Sequence, residues 1–264
     1  MEKTHRLRDR FLRNWFIVTS LVTKDFKLKY RRSVLGVIWS VLNPLLMMVI
    51  LTFVFGKLLR FEIENYALYI ILGLTLYTFM SEATQRALMS IIDSAPLIKK
   101  IRISKWLFPI QKVLSSLVNY AISLISVAAV MVFFRVAPTP NLLLLPLLLL
   151  YVSVFSLGLG LLVSAINVYL RDTEHIWSVL TLAWMYATPI IYPVEALETF
   201  APNVMFAMQF NPMYHYVSYM REIALLGTTP GLVENILCLG FALITLLVGA
   251  LVFKKLSKRF VLFV

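Results

Sequence analysis

Residues Leu142–Ile166 read LLLLPLLLLYVSVFSLGLGLLVSAI and pass 25 positions without a charged side chain. A helix rises about 1.5 Å per residue, so about 20 apolar residues cross the roughly 30 Å hydrocarbon core of a bilayer. The whole 264-residue chain follows this pattern, with 60% hydrophobic and 14% charged residues. Soluble domains carry about 25% charged residues. The composition predicts an all-α polytopic membrane protein and excludes a soluble enzyme, a secreted disulfide scaffold and a disordered chain.

Six apolar runs are long enough to be membrane-spanning helices. They are Val34–Gly56, Tyr66–Ile92, Trp106–Phe134, Leu142–Leu170, Ile176–Tyr192 and Val233–Phe253. After the fifth run, Thr188–Pro193 breaks the helix, and the apolar pieces up to Leu232 are too short to cross. Broken backbone at membrane depth must be buried in protein or line a cavity. We therefore expect two short re-entrant helices between spans 5 and 6, within one transmembrane domain over residues 1–264.

The distribution of Lys and Arg predicts the orientation. Twenty of the 25 Lys and Arg residues fall on one side of this arrangement and four on the other. Positive charge marks the cytoplasmic side of a membrane protein. We expect a multi-pass protein of the bacterial cytoplasmic membrane with both termini in the cytoplasm, which requires an even number of spans. The net charge of +12 then faces anionic membrane lipids, and no nucleic-acid partner is expected.

The region before the first span, residues 1–32, predicts an amphipathic helix over residues 9–30. Apolar side chains recur there at helical spacing, at Phe11, Trp15, Val18, Val22 and Phe26. Such a helix lies in the membrane interface instead of crossing it. Two roles stay open: a simple surface anchor, or the frame of a cytoplasmic entrance.

The loop between spans 2 and 3 predicts a short helix that contacts another protein. Pro96 is placed to open it. Cations then alternate with apolar side chains, the cations being Lys99, Lys100, Arg102 and Lys105. The alternative is a loop that follows the positive-inside rule and dips into the lipid headgroups.

Two further groups of residues are candidates for function within the spans. Glu82 and Arg86 are four residues apart and can form an ion pair, either inside the bilayer or on a wet helix end. The second group consists of aromatic side chains that either line a pore or only pack: Trp39, Tyr77, Phe79, Trp184 and Tyr186.

Catalytic chemistry in this chain is not expected. The Gly-Lys pair Gly56-Lys57 lacks the glycine of a phosphate-binding loop, because position 51 is leucine. The three histidines are widely separated and the single cysteine, Cys238, lies in an apolar run, so we expect neither a metal site nor a resident cofactor. These patterns leave little support for a membrane glycosyltransferase or acyltransferase.

Several motifs resemble those of polysaccharide-export ABC transporter permeases, the membrane subunits of O-antigen, teichoic acid and cell-wall rhamnan exporters. The motifs, in chain order, are KYRRSVLGVIWS at Lys29–Ser40, LNPL at Leu42–Leu45, NVYLRD at Asn167–Asp172 with His175, TPIIYP at Thr188–Pro193, and Asn211-Pro212. A small-molecule or drug exporter permease of the same superfamily is the alternative. A passive scaffold is a further, weaker one.

The resemblance implies a homodimer that binds two copies of a separate cytoplasmic ATPase subunit, which would hold ATP and Mg²⁺. It implies that Ser94–Lys105 forms the coupling helix, that Asp9–Tyr30 borders the substrate entrance, and that Glu195–Leu226 forms an extracellular gate. The implied substrate is a glycan linked to undecaprenyl diphosphate. Lys29, Arg31 and Arg32 are candidates to bind its pyrophosphate, because cations and the bidentate geometry of Arg suit phosphate groups. Signalling membrane topology is their competing role.

Overall fold

The structure is a computed structural model that describes residues 2–31, 34–58, 63, 65–100, 103–194 and 202–263. These residues contain helices and connecting loops and no β-strand. The α-helices are α1 (Glu2–Tyr30), α2 (Trp39–Leu51), α3 (Tyr66–Asp93), α4 (Ala95–Lys100), α5 (Leu107–Phe133), α6 (Leu145–Asn167), α7 (Thr173–Tyr186), α8 (Pro202–Met208), α9 (Pro212–Arg221), α10 (Leu232–Leu256) and α11 (Phe260–Phe263). Short 3₁₀ turns precede α2 and α6, and π-helical turns follow α2 and α9.

Five helical segments of the described chain are long and apolar enough to cross a membrane. They are Gly36–Gly56, Tyr66–Asp93, Leu107–Phe133, Pro140–Asn167 and Leu232–Arg259. Each coincides within a few residues with a predicted span, apart from the longer C-terminal end of the last. The prediction of an all-helical membrane protein is confirmed to this extent.

The predicted fifth span, Ile176–Tyr192, is not confirmed as a single crossing helix. Helix α7 has only 14 residues and ends at Tyr186. At about 1.5 Å per residue it is about 21 Å long, which is less than the hydrocarbon thickness. The Thr188–Pro193 break that the sequence predicts therefore begins inside this span. Two short helices, α8 and α9, follow it as predicted, while their re-entry into a membrane stays a prediction.

Helix α3 forms the centre of the bundle. Every residue from Tyr66 to Tyr77 is buried, and the helix packs against α2, α5, α6, α7 and α9. A helix that is buried on all sides belongs to the core of a bundle. Polar side chains in this part of α3 therefore meet other protein groups instead of lipid, and this property positions the site described below.

The most extensive helix pair, α6 with α10, depends on two glycines. A Cβ atom added to Gly249 would overlap the carbonyl oxygen of Gly158, and one added to Gly158 would overlap the backbone of Thr245. Thr245 and Gly249 are four residues apart, which is the small-residue spacing that lets membrane helices approach closely. The two backbones therefore touch without intervening side chains.

We expect Gly249→Ala to separate α6 from α10 and to lower the stability of the protein by about 1–3 kcal/mol, the usual cost of overpacking. Thermal unfolding in detergent measures this loss. The matched control is Gly240→Ala on the same helix, where an added Cβ meets nothing within 4 Å. Alanine is the better helix former, so the control should be neutral or stabilising. Equal melting temperatures for the two variants would contradict the close approach.

Candidate functional site

A cluster of charged side chains joins α1 to α3 and α5. Asp25 of α1 accepts hydrogen bonds at its Oδ2 atom from Arg86 at 3.0 Å, from Gln111 at 2.8 Å and from Lys112 at 2.7 Å. The side chains of Asp25, Arg86 and Lys112 are between 17% and 24% exposed. A partly buried charge is stable only when it is paired. These contacts therefore fix the C-terminal half of α1 on the bundle.

The cluster continues along α3 to Glu82. The Oε1 atom of Glu82 accepts hydrogen bonds from Lys29 at 2.9 Å, from Asn119 at 3.1 Å and from Arg86 at 3.4 Å. The structure therefore forms the Glu82–Arg86 ion pair that the spacing predicts, and Arg86 also bridges to Asp25. We call the five residues Asp25, Lys29, Glu82, Arg86 and Lys112 the charge cluster.

The pKa of Asp25 depends on its burial and on the charged and polar groups around it. Burial raises the pKa of a carboxyl group, but the hydrogen bonds from Lys112 and Gln111 and the positive charges of Lys112 and Arg86 outweigh it. The net result is that the pKa of Asp25 lies below its ordinary value of 3.8. Asp25 is therefore ionised at neutral pH.

A polar cavity of about 270 Å³ lies next to the charge cluster, between the end of α1 and helices α2, α3 and α5. Its lining is mixed, with hydroxyl and amide groups beside aromatic rings. The lining residues are Lys29, Tyr30, Trp39, Ser40, Asn43, Pro44, Thr75, Thr78, Phe79, Glu82, Ser116, Asn119, Tyr120 and Ser123. Tyr30 ties the wall of this cavity together, because its hydroxyl group contacts Ser40 and donates to Asn119 at 3.1 Å.

The three candidate phosphate-binding cations are in different situations. Lys29 forms an ion pair with Glu82, so part of its charge is already neutralised. Arg31 is exposed at the end of α1. Arg32 lies outside the described residues. The structure therefore does not bring the three together in one described site, and their phosphate-binding role stays a prediction.

The candidate pore aromatics divide into two groups. Tyr77 and Phe79 are enclosed in the subunit: the hydroxyl group of Tyr77 donates to the carbonyl of Thr181 at 2.5 Å, and Phe79 packs on Tyr120. Both are almost fully buried, Phe79 at 2% and Tyr77 at 3% exposed, and Phe79 lies in the wall of the polar cavity. Neither is placed on an outer surface of the subunit, and pore lining by these two residues stays a prediction.

The other three candidates are more accessible. Trp39 is 49% and Tyr186 is 59% exposed. Trp184 is half-buried, and its ring nitrogen donates to Asn211 at 2.8 Å. Pore lining by Trp39 and Tyr186 stays a prediction.

The predicted coupling segment contains the short helix α4, with Pro96, Lys99 and Lys100 exposed. The described apolar side chains of this segment are packed within the subunit and are not exposed to a partner. Leu97, Ile98 and Ile103 pack against the protein's own core at the ends of α3, α6 and α10. The contact surface left for a partner is therefore mainly cationic.

Lys105 differs from the other cations of this segment. Its ammonium group donates to the carbonyl of Ser257 at 2.5 Å and lies 5.4 Å from the centre of the Phe260 ring. It joins the segment to the C-terminal end of α10 instead of facing a partner. Arg102 lies outside the described residues.

Arg221, at the end of α9, is a further buried charge that no sequence pattern indicates. The residue is only 6% exposed. Its guanidinium group donates to the carbonyls of Pro189 at 2.8 Å and Ile190 at 3.1 Å, and lies 3.4 Å from the centre of the Tyr69 ring. Arg221 thus satisfies backbone carbonyls that the break after α7 leaves without helical partners.

Asn211 holds the same break from the other side. Its amide nitrogen donates to Thr188 at 3.0 Å, while its oxygen accepts from the Trp184 ring and caps α9 through the backbone of Met213. The Thr188–Pro193 and Asn211-Pro212 motifs, separate in the sequence, therefore form one structural unit. Residues 195–201 of the predicted gate lie outside the described residues.

The described residues contain no group of three or more His, Cys, Asp or Glu side chains that could hold a metal ion. Cys238 is fully buried, as expected for a small apolar filler. The contacts found here are hydrogen bonds and ion pairs that position helices.

Comparison with known proteins gives a consistent result. Residues 18–225 match the family described as ABC-2 type transporter. The chain is 31% identical over 208 residues to the O-antigen export system permease protein RfbA of Myxococcus xanthus, covering 78% of this chain and 79% of the relative. It is 30% identical over 250 residues to RfbA of Klebsiella pneumoniae, covering 92% and 93%. It is 24% identical over 251 residues to the capsule polysaccharide export inner-membrane protein CtrC of Neisseria meningitidis, covering 92% and 91%.

We expect Asp25→Ala to loosen α1, because Arg86 and Lys112 lose their shared acceptor. Hydrogen bonds to charged groups contribute about 1.5–3 kcal/mol each, so the loss should be measurable. Amide hydrogen exchange over residues 18–30 should become faster in this variant. Lys27→Ala, at an exposed position of the same helix, should leave the exchange unchanged. Equal protection in both variants would show that α1 is held without the charge cluster.

The pH dependence follows from the lowered pKa of Asp25. A group with a lowered pKa stabilises the folded state above its unfolded pKa, and this stabilisation is lost as the pH falls through the folded pKa. Since the ordinary value is 3.8, we expect the Asp25 contribution to persist from neutral pH to about pH 5. The difference in α1 protection between Asp25→Ala and the natural protein, measured across this range, should stay constant. A difference that shrinks by pH 5 would contradict the lowered pKa.

We expect Arg221→Lys to destabilise the break after α7, because an ammonium group cannot reproduce the fork geometry of the guanidinium group. Losing bonds to buried carbonyls costs about 1–3 kcal/mol, which should appear as faster hydrogen exchange at residues 187–192 and a lower melting temperature. Arg135→Lys, at an exposed position, is the matched control. Unchanged hydrogen exchange at residues 187–192 in Arg221→Lys would show that Arg221 does not stabilise the break.

Proposed function

Because this chain belongs to the ABC-2 type transporter family, we propose that it is the membrane-spanning subunit of an ATP-driven polysaccharide exporter. The observation that carries the proposal is the similarity to polysaccharide-export permeases over about nine-tenths of the chain, together with five apolar helices of membrane-spanning length. The chain itself is a transport subunit and not an enzyme. Its energy comes from a separate ATPase subunit that holds ATP and Mg²⁺.

The exported substrate is a glycan attached to a lipid, and undecaprenyl diphosphate is the carrier we propose. The position of α1 supports this assignment, since an amphipathic helix beside a polar cavity suits a ligand that is part lipid and part sugar. Arg31 and Arg32 are the better candidates for its pyrophosphate, because Lys29 is engaged by Glu82. The competing role of these arginines is to signal topology.

The working unit is a homodimer with two ATPase subunits. Helices α2 and α7 support this arrangement, because both carry exposed apolar and aromatic side chains on the flanks of α3, including Trp39, Val179 and Tyr186. A conduit between two copies of these faces would bring Trp39 and Tyr186 to its wall. The remaining exposed apolar surface contacts lipid.

We propose six crossings, with α7 and the residues after it together making the fifth. Both termini then lie in the cytoplasm, in agreement with the distribution of Lys and Arg. Helices α8 and α9 turn back from the outer side, where Arg221 and Asn211 hold the break that precedes them. The positive surface of α1 and of the C-terminal residues faces anionic lipid of the inner leaflet.

The coupling surface is α4. Lys99 and Lys100 are exposed cations on a short helix whose apolar side is already packed, so an acidic patch on the ATPase subunit would complement them. Closure of the ATPase subunits on ATP pushes α4. The two halves of the dimer then rock apart and open the conduit for stepwise passage of the glycan.

The first test is genetic. Deletion of this gene should remove a polysaccharide from the cell surface and leave lipid-linked glycan inside the cell, measured by extraction of the accumulated lipid. Sensitivity to small toxic molecules without any change in surface polysaccharide would favour the drug-exporter alternative. Normal surface polysaccharide in the deletion strain would contradict the proposed function.

The second test addresses coupling. The double substitution Lys99→Glu, Lys100→Glu should weaken ATPase-subunit binding about tenfold or more, because reversed charges at a contact oppose the partner's potential. Co-purification with the ATPase subunit measures the loss, and dimer assembly should be intact. The matched control reverses two other exposed cations, Lys254→Glu and Lys255→Glu. Equal losses of binding in the two double variants would show that the effect comes from the change in total charge and not from α4.

A further inference from the structure

We propose that the polar cavity between α1, α2, α3 and α5 binds one sugar ring of the exported glycan. This inference rests on the proposed function and names a site for its substrate within a single subunit. The cavity volume of about 270 Å³ is near the lower end of ligand sites, which span about 300–1,000 Å³. This size suits one ring of a polymer and not a whole repeat.

The charges of the cavity select an uncharged ligand. The charged side chains in its described lining are Lys29 and Glu82, and they pair with each other at 2.9 Å. Glu82 is further neutralised by Arg86. A phosphate at Lys29 would lie beside the Glu82 carboxylate and be repelled by it, and a cation would have to compete with Lys29 and Arg86 for one carboxylate. Neither exchange is favourable in a partly buried site.

Polar atoms in the cavity are ready to bind hydroxyl groups. The contacts of Glu82 with described residues all fall on Oε1, and Oε2 has no hydrogen bond within those residues. The Glu82 side chain is 29% exposed and lines the cavity, so Oε2 can be reached from it. Exposed polar side chains at the mouth of the cavity offer further hydrogen-bonding atoms. Sugar hydroxyls can donate to Oε2 and pair with these side chains.

The aromatic rings supply the complementary surface. Trp39, which is 49% exposed, lies at the mouth of the cavity, and Phe79 and Tyr120 lie in its floor with their ring centres 5.3 Å apart. A pyranose ring has an apolar face of C–H groups beside its hydroxyls, and such C–H groups pack on the negative face of an aromatic ring. An acyl chain would fit the rings but would give Glu82 Oε2 no hydrogen-bond donor. The combination of rings, hydroxyls and one carboxylate oxygen therefore favours a sugar over a lipid tail.

The mouth of the cavity is open to the ligand. Trp39, Asn43 and Thr78 line it and are exposed, whereas Phe79, Ser116 and Tyr120 at its floor are buried. Lys29 and Tyr30 of α1 form one side. A sugar bound here would lie close to Arg31, the exposed cation assigned to the pyrophosphate. The first sugar after the lipid carrier is thus the ring that this cavity recognises.

Cysteine protection tests the site in the complete complex with its ATPase subunit in lipid nanodiscs. In a Cys238→Ala background, Thr78→Cys places a thiol at the mouth, and its rate of reaction with a maleimide is measured. The probes are lipid-linked glycan extracted from the same cells and undecaprenyl diphosphate without sugar. A ligand at ten times its Kd leaves about one tenth of the sites free, so the glycolipid should slow the labelling about tenfold while the sugar-free lipid leaves it unchanged.

Two further cysteines make the result decisive. Asn43→Cys places a second thiol at the same cavity, on α2, so the test does not depend on the correct folding of a single variant. Thr229→Cys, exposed in the loop before α10, should label at the same rate with and without either probe. Slower labelling at Thr78→Cys and Asn43→Cys, but not at Thr229→Cys, supports the sugar site.

The opposing results separate the two proposals. Equal protection by both lipids would show that the cavity binds the phosphate or the lipid and not the sugar. Protection by neither lipid would show that the cavity does not bind the substrate. In both cases the sugar site is overturned, while polysaccharide export still stands if gene deletion removes the surface glycan. Normal surface glycan in the deletion strain overturns the proposed function instead, whatever the labelling shows.

Discussion

Arg86 lies between two carboxylates, Asp25 of α1 and Glu82 of its own helix, and the placement of α1 depends on this arrangement. An amphipathic pattern alone does not attach a helix to one place on a bundle. Asp25 and Lys29 attach α1, because their partners on α3 and α5 are fixed inside the bundle. One network thus attaches α1, forms a wall of the polar cavity and sets the charge that this cavity presents.

The same constraint acts at the other end of α3. Where α7 ends early, its last backbone carbonyls have no helical donors and need other partners. Arg221 and the tyrosines of α3 fill this need: Tyr66 donates to Ile191 at 2.5 Å and Tyr69 to Tyr192 at 3.1 Å. Helix α3 therefore provides polar partners for α1 in its C-terminal half and for the break after α7 at its N-terminal end.

The charge cluster also neighbours the proposed coupling surface. A second cavity, of about 420 Å³, lies between α1, α4 and the start of α5, and its lining includes Asp25, Lys112, Pro96 and Lys100. Asp25 and Lys112 thus line a cavity together with the proposed coupling helix, and Arg86 and Glu82 connect Asp25 to the proposed substrate site. The two proposed sites are neighbours across the charge cluster.

The sequence by itself determined the helical membrane class, five of the spans within a few residues, the Glu82–Arg86 pair, the short α4 and the break at Thr188–Pro193. These features depend on run length, proline and i,i+4 spacing, which are local. Only the tertiary structure decided that α7 ends at Tyr186, that Tyr77 and Phe79 are enclosed, and that Arg221 is buried. The polar cavity could not be predicted from the sequence either, because its walls come from four helices. The partners that matter are far apart in the chain, 61 residues for Asp25 and Arg86 and 152 for Tyr69 and Arg221, and no local pattern specifies which distant groups a folded bundle brings together.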